Sequence, residues 1–355
     1  MNDGTGFERW VVILAGGIGS RFWPASTPRR PKQFLALGGA RPLIVDTVDR
    51  AERLAPAGRV LIVAGAALQP HIERHLPEFP SECLLLEPQA RGTAAALAWA
   101  ATVIRDRADD PERAVMVSLH SDHVIRPVDR FVDTLGRAVD AAGRLDRLLA
   151  IGVTPDRPET GYGYMEVGGP LDEGVLEIRR FVEKPDRETA EGYIERGDFL
   201  WNSGMFVWRP TFLLAQLAAH APELAGELGR LDRGDIEGFF AAIPNLTIDH
   251  GLMERSPHIA TVKADFAWDD VGAWAALLRV FPRDDDGNLL IGHGQAVDSR
   301  NNLIWAEDGP VVTFDCDDLL VVRAFGITLV APLERSADLK RLLAELPEKL
   351  REGEI

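Results

Sequence analysis

Five short apolar runs, Val11–Leu14, Val60–Val63, Cys83–Leu86, Ala114–Leu119 and Leu148–Val153, alternate with longer stretches of helical spacing. The clearest of those stretches are Leu43–Leu54, Thr93–Arg107 and Arg130–Ala142. This alternation predicts an α/β fold, Rossmann-like and doubly wound, with a mixed or mostly parallel sheet. Thr93 reads as the N-cap of the Ala-rich helix that follows. In such sheets ligands gather beyond the carboxyl ends of the strands, near the point where strand order reverses.

The first run ends at such a place. Leu14 and Ala15 lead into Gly16, Gly17 and Gly19, with Ser20 and Arg21 next and Lys32 eleven residues further on. Glycines let main-chain N–H groups approach an anion with no Cβ in the way. Two cations beside them suit a polyphosphate better than a single phosphate. The spacing lacks the lysine of a Walker loop, and Phe22 stands where a dinucleotide fingerprint needs its third glycine. On the glycines alone, an ordinary strand-to-helix turn is an equal reading.

The 355 residues carry a net charge of −16. That balance disfavours nucleic acid and anionic membranes, so an anionic ligand must be held by a local cluster of cations, N–H groups or metal. Cys83 and Cys316 lie in apolar, strand-like surroundings and read as buried free thiols. The acidic start MNDGTGFERW is unlike a signal peptide, and no apolar run reaches the ~18 residues of a membrane span. A cytoplasmic setting is expected. The breaker Pro282–Asn288 predicts a boundary, with a catalytic domain over 1–284 and a small β-rich domain over 285–355. In the latter, Gln295–Asp298, Leu303–Trp305, Val311–Phe314, Leu319–Arg323 and Ile327–Val330 read as strands and Ser336–Leu346 as a closing helix. A structural or oligomerising use, such as a homodimer, suits that region.

Several polar groups invite chemistry. Asp122, after the run Ala114–Leu119, either caps a turn or helps hold Mg2+. Asp269 and Asp270 either favour a helix start by their charge or supply a second metal carboxylate. Glu183-Lys184 is either a surface ion pair or a pair that meets substrate. Thr160–Tyr164 and Trp201–Phe206 offer aromatic faces, glycine N–H groups and the Asn202 amide, which suit a sugar.

Taken in order, the motifs L-x-G-G-x-G-x-R-x-x-P with P-K, E-P-x-x-R-x-T-A, S-D-H, T-x-Y-G-Y, F-x-E-K-P, W-N-S-G-x-F and W-D-D-V-G-x-W resemble the sugar-1-phosphate nucleotidyltransferases. Trp23-Pro24-x-Ser26 and Pro31–Phe34 are similar to the mannose-1-phosphate guanylyltransferase branch. The resemblance covers residues 11 to about 280. It implies GTP and mannose 1-phosphate as substrates and Mg2+, or another divalent cation, as cofactor. It implies that Leu14, Ala15, Gly16, Gly17, Gly19, Ser20, Arg21, Arg91, Thr93 and Asp122 meet the nucleotide. Gly163, Glu183, Lys184 and Asn202 would meet the sugar phosphate, and Asp122 and Asp270 the metal. Arg21, Lys32 and Lys184 would be the catalytic cations. The chain departs from the branch at Gly92 (usually Asn), Ala95 (usually Pro), Ser121 (usually Ala) and His120 (usually Pro). Another sugar 1-phosphate, such as a manno-heptose, another triphosphate, a non-catalytic nucleotide-sugar sensor and a metal-dependent glycosyltransferase are the alternatives.

Overall fold

A computed structural model describes residues 6–37 and 39–353. The acidic start therefore falls partly on residues 1–5, outside the described residues. Two compact units are present. One takes Met1–Gly16, Thr47–Ser121 and Ile125–Trp268, and the other Gly17–Asp46, Asp122–Val124 and Asp269–Ile355.

Among the described residues, the main sheet of the first unit has nine strands: β1 (Glu8–Ala15), β2 (Val60–Gly65), β3 (Leu84–Glu87), β4 (Ala114–His120), β5 (Leu148–Val153), β6 (Gly163–Asp172), β7 (Val175–Glu183), β8 (Phe199–Trp208) and β9 (Ile259–Lys263). Their order across the sheet is β3-β2-β1-β4-β8-β5-β9-β7-β6. β1 pairs in parallel with β2 and β4, and β4 pairs antiparallel with β8. The sheet is thus mixed, with a parallel block at one side. The chain fills β2 and β3 on one flank of β1 and then returns to β4 on the other. The order reverses there, at the carboxyl ends of β1 and β4, where Ser121 N donates to Leu14 O at 3.1 Å.

β1 is apolar without alternation, and Val11, Val12 and Ile13 are wholly buried. That is the pattern of a strand covered on both faces. The Ala-rich helix spans Thr93–Arg107, as its composition predicts. Its N-cap is Gly92 rather than Thr93, because the Thr93 hydroxyl accepts from Ile248 N at 2.9 Å instead of closing its own helix end. The helix Val128–Arg144 buries Phe131, Leu135, Ala138, Val139 and Ala142, one face at helical spacing. Each of its large apolar side chains contributes about 1.5–3 kcal/mol by burial, so Leu135→Asp breaks this packing. Among the described residues, no helix is long and apolar enough to cross a membrane.

The second unit carries four strands, β10 (Leu289–Val297), β11 (Leu303–Phe314), β12 (Leu319–Ala324) and β13 (Ile327–Pro332), paired in that order. β11 is one strand where the sequence reads as two, because the polar stretch between Ala306 and Val311 stays extended while its register with β10 shifts. The closing helix is shorter than expected, Leu339–Glu345, after a 3-10 segment Leu333–Asp338. Buried Asn302 donates to Asn288 Oδ1 and Cys316 O, so amides rather than side-chain packing hold the turns. Cys83 is buried as expected, whereas Cys316 is half-exposed in a turn with its thiol on Phe314 O. The core of this unit joins Phe22, Trp23, Leu35 and Leu37 to Trp274, Leu303, Trp305, Leu320 and Leu339.

Candidate active site

In the second unit, the glycine turn bends back on itself. Gly17 and Gly19 have φ of 82° and 73°, a region that a side chain disfavours. A Cβ on Gly19 would also lie 2.2 Å from Lys32 Cβ, so only glycine fits. Phe22 N donates to Gly19 O, Lys32 N to Ile18 O, and the Ser26 hydroxyl to Ile18 O. These bonds bring Lys32 against the turn. Arg21 is exposed, which leaves its guanidinium available to an anion. Ser20 is half-buried. Leu14 and Ala15, at the end of β1 in the first unit, are buried.

The Lys32 ammonium is buried, 2.8 Å from Asp122 Oδ2 and 2.7 Å from Asp270 O. The ligand atoms of Asp122 and His123 lie within 4.8 Å of one another. The two neighbouring acids Asp269 and Asp270 are separated by their partners. Asp269 is buried, takes a two-point ion pair from Arg279 (2.7 and 3.1 Å) and accepts from Val271 N at 2.8 Å. Its oxygens are committed to structure. Val271 has φ of 46°, an uncommon state for a β-branched residue, and Asp269 holds it there. The Asp270 carboxylate folds over Gly272, where a Cβ would come within 2.9 Å of Oδ2. The Lys32 ammonium thus draws a carboxylate oxygen of Asp122 and the main-chain oxygen of Asp270 to one place, and carboxylate oxygens of this kind are hard donors of the class that suits Mg2+.

In the first unit, the carboxyl end of β7 meets β6 and β8. Gly163 pairs with Glu183, and a Cβ on it would lie 2.5 Å from Glu183 Oε2. That oxygen is buried and has no hydrogen-bond partner among the described residues. The other oxygen of Glu183 takes the Lys184 ammonium. Lys184 has φ of 49° and its N–H donates to Tyr162 O at 3.1 Å, so the chain turns sharply and leaves the ammonium exposed. Tyr162 stands edge-on to Trp201 at 5.2 Å. Asn202 is buried, accepts from Gly204 N at 3.0 Å and donates to Asp249 Oδ1 at 2.8 Å. Burial pushes the Asp249 carboxyl up to about 6, and the Glu183 charge adds to the rise. Gly163, Glu183, Lys184 and Asn202 are therefore brought together. Asp249 joins them without having been found in the sequence, where an isolated acid among Leu246, Ile248, Leu252 and Met253 is its only signal.

Also in the first unit, Arg91 and Thr93 meet residues 240–248. Arg91 Nε donates to Phe240 O at 2.9 Å, and Leu246 N to Arg91 O at 3.0 Å. Gly92 has φ of 82°, and a Cβ on it would sit 2.3 Å from Leu246 O. A side chain here would have to displace Leu246. Burial pushes the Glu87 carboxyl, at the end of β3, up to about 7.

The pattern of the family described as "Nucleotidyl transferase" matches residues 10–287. A mannose-1-phosphate guanylyltransferase of Klebsiella pneumoniae is 33% identical over 354 residues, covering 96% of this chain and 74% of its own. The mannose-1-phosphate guanylyltransferase ManC of Salmonella typhimurium is 33% identical, with 95% and 73% covered. The crystal structure of a protein named mannose-1-phosphate geranyltransferase, from Thermus thermophilus, superposes with a TM-score of 0.87 at 31% identity, covering 95% of this chain and 98% of that one. On these matches the chain belongs to the nucleotidyl transferase family, among the mannose-1-phosphate guanylyltransferases.

Proposed function

We propose that this enzyme transfers GMP from GTP to α-D-mannose 1-phosphate, releasing diphosphate and forming GDP-mannose. The observation that carries the acceptor side is the end of β7. There a buried carboxylate oxygen without a partner, on Glu183, lies beside the exposed ammonium of Lys184. An unpaired buried acceptor calls for a hydroxyl donor, and the ammonium suits a phosphate. The names of the relatives support mannose as the sugar.

A phosphate monoester is largely dianionic at neutral pH, so its oxygen attacks without a general base. A bond forms from that oxygen to the α-phosphorus, and the bond to the β-bridging oxygen breaks in line. The protein's task is to place two anions together and offset their repulsion. Glycine-turn N–H groups, Ser20, Arg21 and Lys32 hold the triphosphate and the leaving diphosphate. Lys184 neutralises the incoming phosphate, while Glu183, Gly163 and Asn202 orient the sugar. Arg91 and Thr93 shape the base pocket. Asp122 and Asp270 would hold Mg2+, which supplies charge neutralisation at the phosphates. We assign this chemistry to residues 1–284 and a supporting role to 285–355, whose strands share a core with Phe22 and Trp23.

The test is diphosphate release with GTP, ATP, CTP and UTP against mannose, glucose and manno-heptose 1-phosphates. The highest kcat/KM is expected for GTP with mannose 1-phosphate. A preference for ATP or UTP overturns the guanylyl assignment, and absence of turnover with every pair favours a sensor. Lys184→Ala is expected to raise KM for the sugar phosphate and leave GTP affinity unchanged, whereas Arg21→Ala weakens GTP first. The reverse pattern overturns the orientation of the two substrates.

A further inference from the structure

Residues 246–254 of the first unit bond to both groups of candidate ligands in that unit. Leu246 pairs with the turn before the Ala-rich helix, donating to Arg91 O at 3.0 Å and accepting from Ala94 N at 3.1 Å. Ile248 N donates to the Thr93 hydroxyl at 2.9 Å. Asp249 Oδ1 then accepts from Asn202, and Glu254 Oε1 accepts from Glu183 N at 3.4 Å. Asp249–Met253 is a π-helical turn, a form that re-aims side chains and recurs at functional sites.

The Asn202 amide is fixed from both ends. Gly204 N is a donor only, so it requires the amide oxygen. An ionised Asp249 carboxylate is an acceptor only, so it requires the amide nitrogen. One N–H of Asn202 is thereby used, and the other is left to donate. Without Asp249 the amide is held by one contact and its donor is no longer aimed.

We propose that Asp249 is a positioning residue of the acceptor subsite, fixing the Asn202 amide so that its second N–H meets a hydroxyl of the sugar phosphate. The strap 246–254 carries Asp249 and ties this amide to the Arg91–Ala94 turn. The assignment rests on the sugar-phosphate reading given above for Glu183 and Asn202.

The test is a double-mutant cycle in the full-length enzyme, with mannose 1-phosphate as the varied substrate. Asp249→Ala and Asn202→Ala are each expected to raise KM for mannose 1-phosphate roughly tenfold or more. GTP affinity by calorimetry should stay within about twofold. The double variant should be no worse than Asn202→Ala alone, because Asp249 acts through that amide. Asp249→Asn, which keeps an acceptor oxygen, should recover part of the loss, and Asp249→Leu, which removes the acceptor while filling its space, is the variant to use in the cycle if Asp249→Ala does not fold. Additive effects, or an unchanged KM, overturn the proposal.

A second readout does not depend on turnover. The Asn202 side-chain amide signal in a nitrogen–proton correlation spectrum should titrate in the wild type and not in Asp249→Ala. Glu183, Lys184, His250 and Glu254 also face this region, so Glu183→Gln and His250→Gln serve as controls that should keep the titration. Loss of the titration in a control, or its persistence in Asp249→Ala, overturns the proposal. If the wild type makes no GDP-mannose while the amide behaves as expected, the functional reading fails and the positioning contact stands.

Discussion

The Lys32 ammonium bridges Asp122 and Asp270, 2.8 Å from a carboxylate oxygen of the first and 2.7 Å from the main-chain oxygen of the second. A buried lysine needs such partners, because burying an unpaired charge is costly. The same carboxylate is the proposed metal ligand, so ammonium and divalent cation would compete for Asp122. Lys32→Met is expected to lower kcat by at least about tenfold if Lys32 is a cation of the triphosphate site, as proposed above. The Mg2+ concentration for half-maximal rate should fall at the same time. Steady-state kinetics over a Mg2+ series checks both, and a rise in that concentration contradicts the competition.

Asp269 and Asp270 should separate cleanly on substitution. Asp269→Asn weakens the two-point pair with Arg279 and the bond that holds Val271 at positive φ. Because Arg279 is about a third exposed, the expected loss is roughly 1.5–3 kcal/mol of stability rather than more. The Mg2+ requirement of the folded fraction should not change. Asp270→Ala should do the opposite, removing most turnover at nearly wild-type Tm. Thermal unfolding paired with Mg2+ titration distinguishes them.

Gly92→Ala tests the close approach to Leu246. The added Cβ would lie 2.3 Å from a carbonyl oxygen in a backbone region that alanine disfavours. A cost of about 1–3 kcal/mol is expected from backbone strain, with further loss if residues 246–248 are pushed away. GTP affinity should fall with it. An unchanged Tm with full GTP affinity would mean the segment yields freely.

Glu87 makes the stability of the enzyme depend on pH. Its folded value is raised to about 7 by burial, against an ordinary 4.5. Between those values the folded protein binds more protons than the unfolded chain. Stability therefore falls as pH rises through this window and is lowest above about 7. Glu87→Gln removes the charged form, so the variant should match the wild type near pH 4.5 and exceed it at pH 8. The gain should be about 1–2 kcal/mol after allowance for partial exposure. Denaturant unfolding at both pH values checks it, and a variant less stable than wild type at pH 8 contradicts the sign.

Much of this molecule is legible in local spacing. Leu148–Val153 and Thr93–Arg107 have the bounds that their apolar runs predict, because burial on one or both faces imposes its period directly on the residues. The glycines at 17 and 19 are equally legible, since positive φ is a demand made by a few adjacent peptide units. The strands at 303–314 are less so. The polar residues between Ala306 and Val311 look like a break, and only pairing with β10 shows that they remain extended.

What only the tertiary structure decided are the choices between chemically equal groups. Asp269 and Asp270 are the same residue type one position apart, and Arg279, ten residues away, commits the first to an ion pair. Thr93 has the composition of a helix cap, yet Ile248, 155 residues later, takes its hydroxyl. Asn202 and Asp249 are 47 residues apart and share no period or motif. A hydrogen bond depends on distance in space, while a pattern in sequence records only the repeat of one element. The residue types at 14–34, 183–184 and 202 therefore determine which chemistry is available, and the folded packing around them determines which atoms remain to perform it.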